Sequence, residues 1–382
     1  MRVRQNSKII RFCVLCTFFI HVVIMIIVSN ECQWMDEGYR EKYLHSVMTS
    51  DSSHKINQIT VNSEVLHSTN STTQTSRLNP DEIFNVDMKP NLMYLLNPSD
   101  PKFALTVNGS YLLDNKYLCS SVSSLTILIM VLSAPNNFDR RKAIRETWAN
   151  GSFYSTYGTA RVLFLLGVIN DSEVQRNIEK EFSLYGDILQ GSFIDSYHNL
   201  SHKSVMGYKW VTERCRNAKY VIKTDDDIVI NVFRVLEYDI HTLSIDLYHV
   251  HCIRKVFSPI HRDKGSKVYV EPNQFKGRIF YPPYCHGQYV MMLNVIVPYF
   301  YKSASQTPLF WIDDVFSYGI VMNNIPALKY RAIKLEEYDA PSTDKIFHCW
   351  TQKKPKWHYI FHVIQVANQI GDIWSSISRH YV

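Results

Sequence analysis

Tyr220-Val221-Ile222-Lys223-Thr224-Asp225-Asp226-Asp227-Ile228-Val229-Ile230 sets three consecutive acids between two apolar runs. Adjacent carboxylates repel one another, and an apolar interior does not hold them unpaired. The β-branched and aromatic flanks nevertheless favour a buried strand. Both demands are met if the acids emerge at the carboxyl edge of a strand in an open α/β sheet, where such sheets bind ligands. There they suit a hard divalent cation whose other ligands are substrate phosphates. A solvated acidic turn is the plain alternative, and the rest of the chain has to decide.

The neighbouring segments favour the sheet. Leu125-Thr126-Ile127-Leu128-Ile129-Met130-Val131-Leu132 and Arg161-Val162-Leu163-Phe164-Leu165-Leu166 read as fully buried strands. Between them, Asp139 is placed to cap a helix over 140–148. Asp171 or Ser172 is placed to cap another to about Tyr185, with Val174, Ile178 and Phe182 on one face. A third helix is expected over 201–215. Continuous apolar strands alternating with helices predict an α/β fold, a mostly parallel Rossmann-type sheet with helices on both faces. Farther on, 267–270 and 277–280 suggest a hairpin, and 289–300 is ambiguous between strand and helix.

At 382 residues and 46 % apolar composition the chain can bury a real core. Its net charge of +6 shows no basic run interleaved with aromatics, so nucleic acid is not an expected partner. Arg2, Arg4, Lys8 and Arg11 precede an apolar stretch at 12–28 broken only by Thr17 and His21. Counted from Ile9 it reaches about 20 residues, the span of a bilayer core. The basic flank puts the N-terminus in the cytoplasm and the remainder in a lumen. Ile27-Val28-Ser29 is a poor cleavage site for a signal peptide. The expected organisation is a cytoplasmic tail at 1–11, a transmembrane signal-anchor at 12–28, a Ser/Thr/Asn-rich flexible stem at 29–115 and a catalytic domain at 116–382. Beyond the apolar stretch lie Cys32, Cys119, Cys215, Cys252, Cys285 and Cys349, an even number in an oxidising compartment, with pairing left open. Five sequons, at Asn70, Asn108, Asn150, Asn170 and Asn199, fit a glycosylated lumenal protein.

Trp311-Ile312-Asp313-Asp314-Val315-Phe316 repeats the opening conflict of acids among apolar residues. A helix N-cap would also explain it. Taken together, one acidic site can hold a metal while the other supplies a general base. A nucleotide phosphate leaves readily when a cation neutralises it, and a base on the opposite side would deprotonate an incoming hydroxyl. That pairing suits group transfer from a nucleotide to an alcohol with inversion, by the facing-carboxylate logic of inverting sugar hydrolysis.

Several ordered blocks resemble the β-1,3-galactosyltransferase family. They are Arg140-Arg141-Lys142-Ala143-Ile144-Arg145-Glu146-Thr147-Trp148, then Tyr185-Gly186-Asp187-Ile188-Leu189-Gln190, then Phe193-Ile194-Asp195-Ser196-Tyr197-His198 through Lys203. Lys223 to Asn231, Tyr281-Pro282-Pro283-Tyr284-Cys285, and Asp313-Asp314-Val315 complete the set. The resemblance implies a GT-A-like fold and a type II Golgi membrane enzyme with its catalytic domain in the lumen. It implies a glycosyltransferase moving galactose from UDP-galactose to a glycan hydroxyl in β-1,3 linkage with manganese, with N-acetylglucosamine or N-acetylgalactosamine as alternative donor sugars. It also places Asp314 as the base, Asp225 and Asp227 on the metal, and Arg140, Arg145, Asp225 and Asp226 on the nucleotide-sugar donor. His286 and Trp311 are candidates to line the acceptor cleft. An inactive sugar-binding relative is the rival. Two departures stand out: Asp313 replaces the family's frequent Glu, and Cys285-His286-Gly287-Gln288-Tyr289 is one residue short and lacks a glycine.

Overall fold

A computed structural model describes residues 92–96, 99–102, 111–243, 248–334, 337–339 and 355–382. The expected tail, anchor and most of the stem lie outside these residues. Among the described residues no helix is long and apolar enough to cross a membrane. Four parallel strands form the heart of the fold: β2 (Leu125–Leu132), β3 (Ala160–Val168), β4 (Ile188–Ile194) and β5 (Ala218–Asp225). They line up as β4-β3-β2-β5, with Val131 opposite both Phe164 and Thr224. Every residue from Ile127 to Val131 is fully buried, which is why this run is apolar throughout instead of alternating.

The crossovers are helical: α1 (Phe138–Glu146), α2 (Ser172–Tyr185) and α3 (Leu200–Arg214). Asp171 caps α2 by accepting from the amides of Glu173 and Val174, and Gly186 closes it at φ 63°. The cap of α1 differs from expectation. Asn137, not Asp139, stands at the N-cap; its side chain makes no capping bond, and its Nδ2 donates to Asp226.

Beyond β5 the sheet turns antiparallel. β8 (Tyr284–Leu293) pairs with β5, then β7 (His249–Lys255) with β8, and β9 (Lys329–Ala332) runs parallel to β7. The ambiguous stretch splits at Asn294: strand before it, then helix α4 (Val297–Gln306), entered through Pro298. The hairpin expected at 267–280 is absent. Arg262 donates to the carbonyls of Val270, Glu271, Gln274 and Phe275, satisfying groups that a ladder would have used. At the other edge β1 (Tyr111–Leu113) pairs with β4, and Leu95 and Leu96 are buried. The packed region therefore begins ahead of the boundary expected at 116. Cys119–Cys215 and Cys252–Cys285 are bonded; Cys32 and Cys349 lie outside the described residues.

A second sheet has the order β10 (Tyr338–Asp339), β11 (Phe361–Val363), β6 (Ile228–Ile230). The three acids thus form the turn from one sheet into the other. Helix α5 (Gln369–Tyr381) follows β11 and lays Trp374 and Tyr381 on Phe233 at ring separations of 5.6 and 4.6 Å.

Candidate active site

Period-two alternation in β5 puts Lys223 and Asp225 on one face of the strand. Lys223 is buried, and its Nζ donates to Asp225 Oδ1 at 3.2 Å and to the Gly287 carbonyl at 3.0 Å. The same ammonium lies 3.5 Å from Asp313 Oδ2. Burial alone would lower its pKa, but Asp225, Asp313 and Asp314 together hold it above the usual lysine range. One cation thus joins the two acidic segments that the sequence keeps 88 residues apart, from Asp225 to Asp313.

Asp313 and Asp314 divide their labour. Asp313 is buried and accepts from Ser204 Oγ at 2.8 Å and Ser317 Oγ at 2.9 Å. Asp314 is only half-buried and accepts from the Gly287 amide. Burial raises the pKa of both, against the pull of Lys223, and the charge of Asp225 raises that of Asp314 further. The chain then enters a π-helix over Val315–Val321, an uncommon geometry frequent at functional sites. Neither side chain caps it, so the N-cap explanation does not account for this pair.

Gly287 is required by space. A Cβ there would stand 2.1 Å from Asp314 Oδ1 and 2.5 Å from Lys223 Nζ. Next to it, His286 Nδ1 is buried without a partner, and burial followed by Lys255 lowers this imidazole's pKa to about 4, so it is neutral.

In the acidic turn the three carboxylates also separate. Asp226 points inward and accepts from Ser133 Oγ at 2.7 Å, Asn137 Nδ2 at 2.8 Å and Arg140 at 2.9 Å. It braces the turn, and its oxygens are already taken. Asp225 stays half-exposed. Asp227 keeps one buried oxygen, Oδ1, without a hydrogen-bond partner. Its pKa is pushed up to about 6 by burial and then by Asp225 and Asp226. Among the described residues no group of three His, Cys, Asp or Glu converges as a metal site. Of the turn's three carboxylates, Asp225 and Asp227 are the two whose oxygens Ser133, Asn137 and Arg140 do not engage.

Arg140 joins this turn; Arg145 does not. Arg145 forks onto Asp187 at 2.7 and 2.8 Å and reaches Glu181 at 2.6 Å, in a network that continues through Arg141 to Ser133. Lys203 and Asp195, the residue after β4, form a buried pair at 2.9 Å that ties in the end of β2 through the Ser133 carbonyl, which accepts from Lys203, and the end of β3 through the Gly167 amide, which donates to Asp195.

At the mouth, His198 stacks on Trp311 with centroids 4.3 Å apart, and Tyr197 meets Trp311 edge-on at 5.8 Å. After burial, the charges of Asp314 and Asp225 raise the Tyr197 pKa. Sequence reading passed over Lys223, Tyr197 and Ser204. For Lys223 a signal existed: a lone charge inside an apolar strand, two residues before an acid.

A family profile described as Galactosyltransferase matches residues 139–331, about half of the chain. Over 223 residues the chain is 34 % identical to the human lactosylceramide 1,3-N-acetyl-beta-D-glucosaminyltransferase, covering 56 % of this chain and 58 % of that protein. It is 33 % identical over 207 residues to the human UDP-GalNAc:beta-1,3-N-acetylgalactosaminyltransferase 1, covering 52 % and 59 %. It is 35 % identical over 192 residues to mouse beta-1,3-galactosyltransferase 1, covering 50 % and 58 %. In each case the match spans little more than half of the relative's length.

Proposed function

Because the chain belongs to the β-1,3-galactosyltransferase family of glycosyltransferases, we propose that it transfers a hexose from a UDP-sugar to a glycan hydroxyl in β-1,3 linkage, with inversion. The observation that carries this reading is the Lys223 ammonium, which contacts both Asp225 and Asp313 and so brings the two acidic segments together. UDP-galactose is the donor the motifs imply. The names of the relatives favour UDP-N-acetylglucosamine or UDP-N-acetylgalactosamine equally.

Asp314 takes the proton of the acceptor hydroxyl. The acceptor oxygen then bonds to the anomeric carbon as the bond to the UDP phosphate breaks, and UDP departs with that electron pair. Asp313, fixed by two serines, and Gly287 hold Asp314 in place. Asp225 and Asp227 would hold a hard divalent cation such as manganese, and the buried Asp227 Oδ1 without a hydrogen-bond partner supports this. Bound there, the cation would neutralise charge on the leaving diphosphate. Arg140 reinforces the turn. The stacked Trp311 and His198 present a flat face suited to a sugar ring. Under this reading the segment at 12–28 anchors a type II Golgi membrane protein, with the domain in the lumen.

The test is UDP release by the full chain from UDP-galactose, UDP-N-acetylglucosamine and UDP-N-acetylgalactosamine, each against a panel of galactose-, N-acetylglucosamine- and N-acetylgalactosamine-terminated glycans. Release with one donor, lost on chelation and restored by manganese, is expected. No turnover in any combination would favour a binding-only relative.

A further inference from the structure

β8 changes its register against β7 beside the candidate active site. His251 and Cys252 pair with Met291 and Val290, whereas Ile253, Arg254 and Lys255 pair with His286, Cys285 and Tyr284. Gly287, Gln288 and Tyr289 of β8 are left over between the two frames and form a bulge. Bulges bend a strand, re-aim its groups and are frequent beside active sites. Here the bulge carries the backbone that meets both acidic segments. The Gly287 amide donates to Asp314, the Gly287 carbonyl accepts from Lys223 at 3.0 Å, and the Gln288 carbonyl accepts from Thr224 Oγ1 at 2.7 Å. On the β5 side the ladder resumes with Tyr289 opposite Thr224.

The Cys252–Cys285 bond joins the two frames. Cys252 belongs to the frame after the bulge, opposite Val290, and Cys285 to the frame before it, opposite Arg254. Were the frame of Cys285 continued without a bulge, Cys252 would be its diagonal neighbour, about 7–8 Å away. Bonded cysteines need α-carbons within about 6.8 Å, most often about 5.5–6 Å. Here the two α-carbons stand 5.6 Å apart. Straightening the bulge would pull them apart, and the bond opposes it. Both cysteines are fully buried, so the bond acts on the site through the backbone that it fixes. The other bond, Cys119–Cys215, serves the opposite edge of the sheet: Cys215 ends α3 just before β5 begins at Ala218, whereas the acidic turn lies at the far end of β5.

We propose that Cys252 and Cys285 are positioning residues for the base: their bond locks the β8 bulge, and the locked bulge holds Gly287 against Asp314 and Lys223. With the bulge slack, Gly287 no longer keeps the Asp314 carboxylate and the Lys223 ammonium in place. The two opposite charges then close into an ion pair that takes the carboxylate from the acceptor hydroxyl. The locking stands on the register shift and the bond; its catalytic consequence rests on the function proposed above.

The test compares the full chain with two double variants, each measured at a temperature where circular dichroism shows it folded. Cys252→Ser with Cys285→Ser should lower kcat about 10²-fold, the scale of a catalytic group misplaced by about 1 Å, and leave KM for the UDP-sugar unchanged. Cys119→Ser with Cys215→Ser should lower Tm and leave kcat unchanged. Hydrogen exchange read by mass spectrometry gives a measure independent of turnover. In the first variant, peptides covering 284–290 should lose protection while those from β2 and β3 keep theirs. Unchanged protection at 284–290 overturns the locking, and so does a loss spread evenly over the domain. A fall in kcat of equal size in both variants assigns the bond to general stability and overturns the positioning role. If the serine variant does not fold, Cys252→Val with Cys285→Ala refills the space of the sulfurs without the bond and is read the same way. Failure of both to fold assigns the bond to the fold itself and overturns the positioning role. If the wild type turns over no acceptor, the proposed function has failed, and exchange at 284–290 still decides the locking.

Discussion

Lys223 concentrates the electrostatics of the site in one atom. Its ammonium stands between Asp225 and Asp313 in a buried setting, so removing it strands three carboxylates facing one another. Lys223→Met should cost about 3–5 kcal/mol, the usual penalty for breaking a buried pair on one side. Urea unfolding measures it, and a loss below about 1 kcal/mol, the worth of an exposed pair, would show that water already screens these charges. Asp314→Asn preserves shape but removes the base. Transfer should fall about 10²–10⁴-fold, with UDP-sugar binding by calorimetry unchanged; near-normal turnover would move the base elsewhere. Asp227 gives a pH signature. Its carboxyl is pushed from about 4 to about 6, so the folded state prefers it protonated and ionisation between those values lowers stability. A cation needs the ionised form and competes with the proton. Manganese should therefore raise Tm at neutral pH, and the gain should shrink as pH falls through about 6. An undiminished gain at pH well below that would place the cation on other ligands.

At the scale of elements, β8 acts through its backbone. Gly287 reaches in from the antiparallel half of the sheet, its amide on Asp314 and its carbonyl on Lys223. Gly287→Ala would drive a methyl into both side chains. The expected result is loss of turnover with a modest stability cost, about 1–3 kcal/mol as for other overpacked sites, read by thermal unfolding beside a transfer assay. Wild-type turnover would mean that the π-helix after Asp314 yields to make room. The elements also show what a one-dimensional reading can see. The strands β2, β3 and β5 were legible because burial on both faces makes their sequence continuously apolar. Both acidic segments were legible because charge inside such runs is costly. The 267–280 lobe was not, since one guanidinium on four carbonyls replaces a ladder and leaves no periodic trace. The separate roles of Asp225, Asp226 and Asp227 were also hidden. Which carboxylate braces and which faces the cleft depends on Ser133 and Asn137, which arrive from the end of β2.

Across the whole molecule, the acidic turn is held from both ends of the domain. The family match stops at residue 331, yet β11, thirty residues later, pairs with β6 immediately after the three acids. The Ile364 amide donates to the Asp227 carbonyl at 2.8 Å, and Arg140 donates to the Gln365 carbonyl at 3.2 Å. Phe361 is fully buried and stacks between Tyr289 of β8 and Tyr338 of β10, at 5.3 and 5.2 Å. This C-terminal strand therefore fastens the turn to the main sheet. Its backbone bond to Asp227 is one route by which it could set the position of that carboxylate. Phe361→Ala should cost about 3–5 kcal/mol, as deleting a buried aromatic does. It should also weaken manganese and UDP-sugar binding under conditions where circular dichroism shows the fold intact. Phe361→Leu, which refills most of the volume, should recover stability and ligand affinity together. If affinity stays normal while stability falls, the second sheet merely covers the domain, and the turn keeps its shape through Ser133, Asn137 and Arg140 alone.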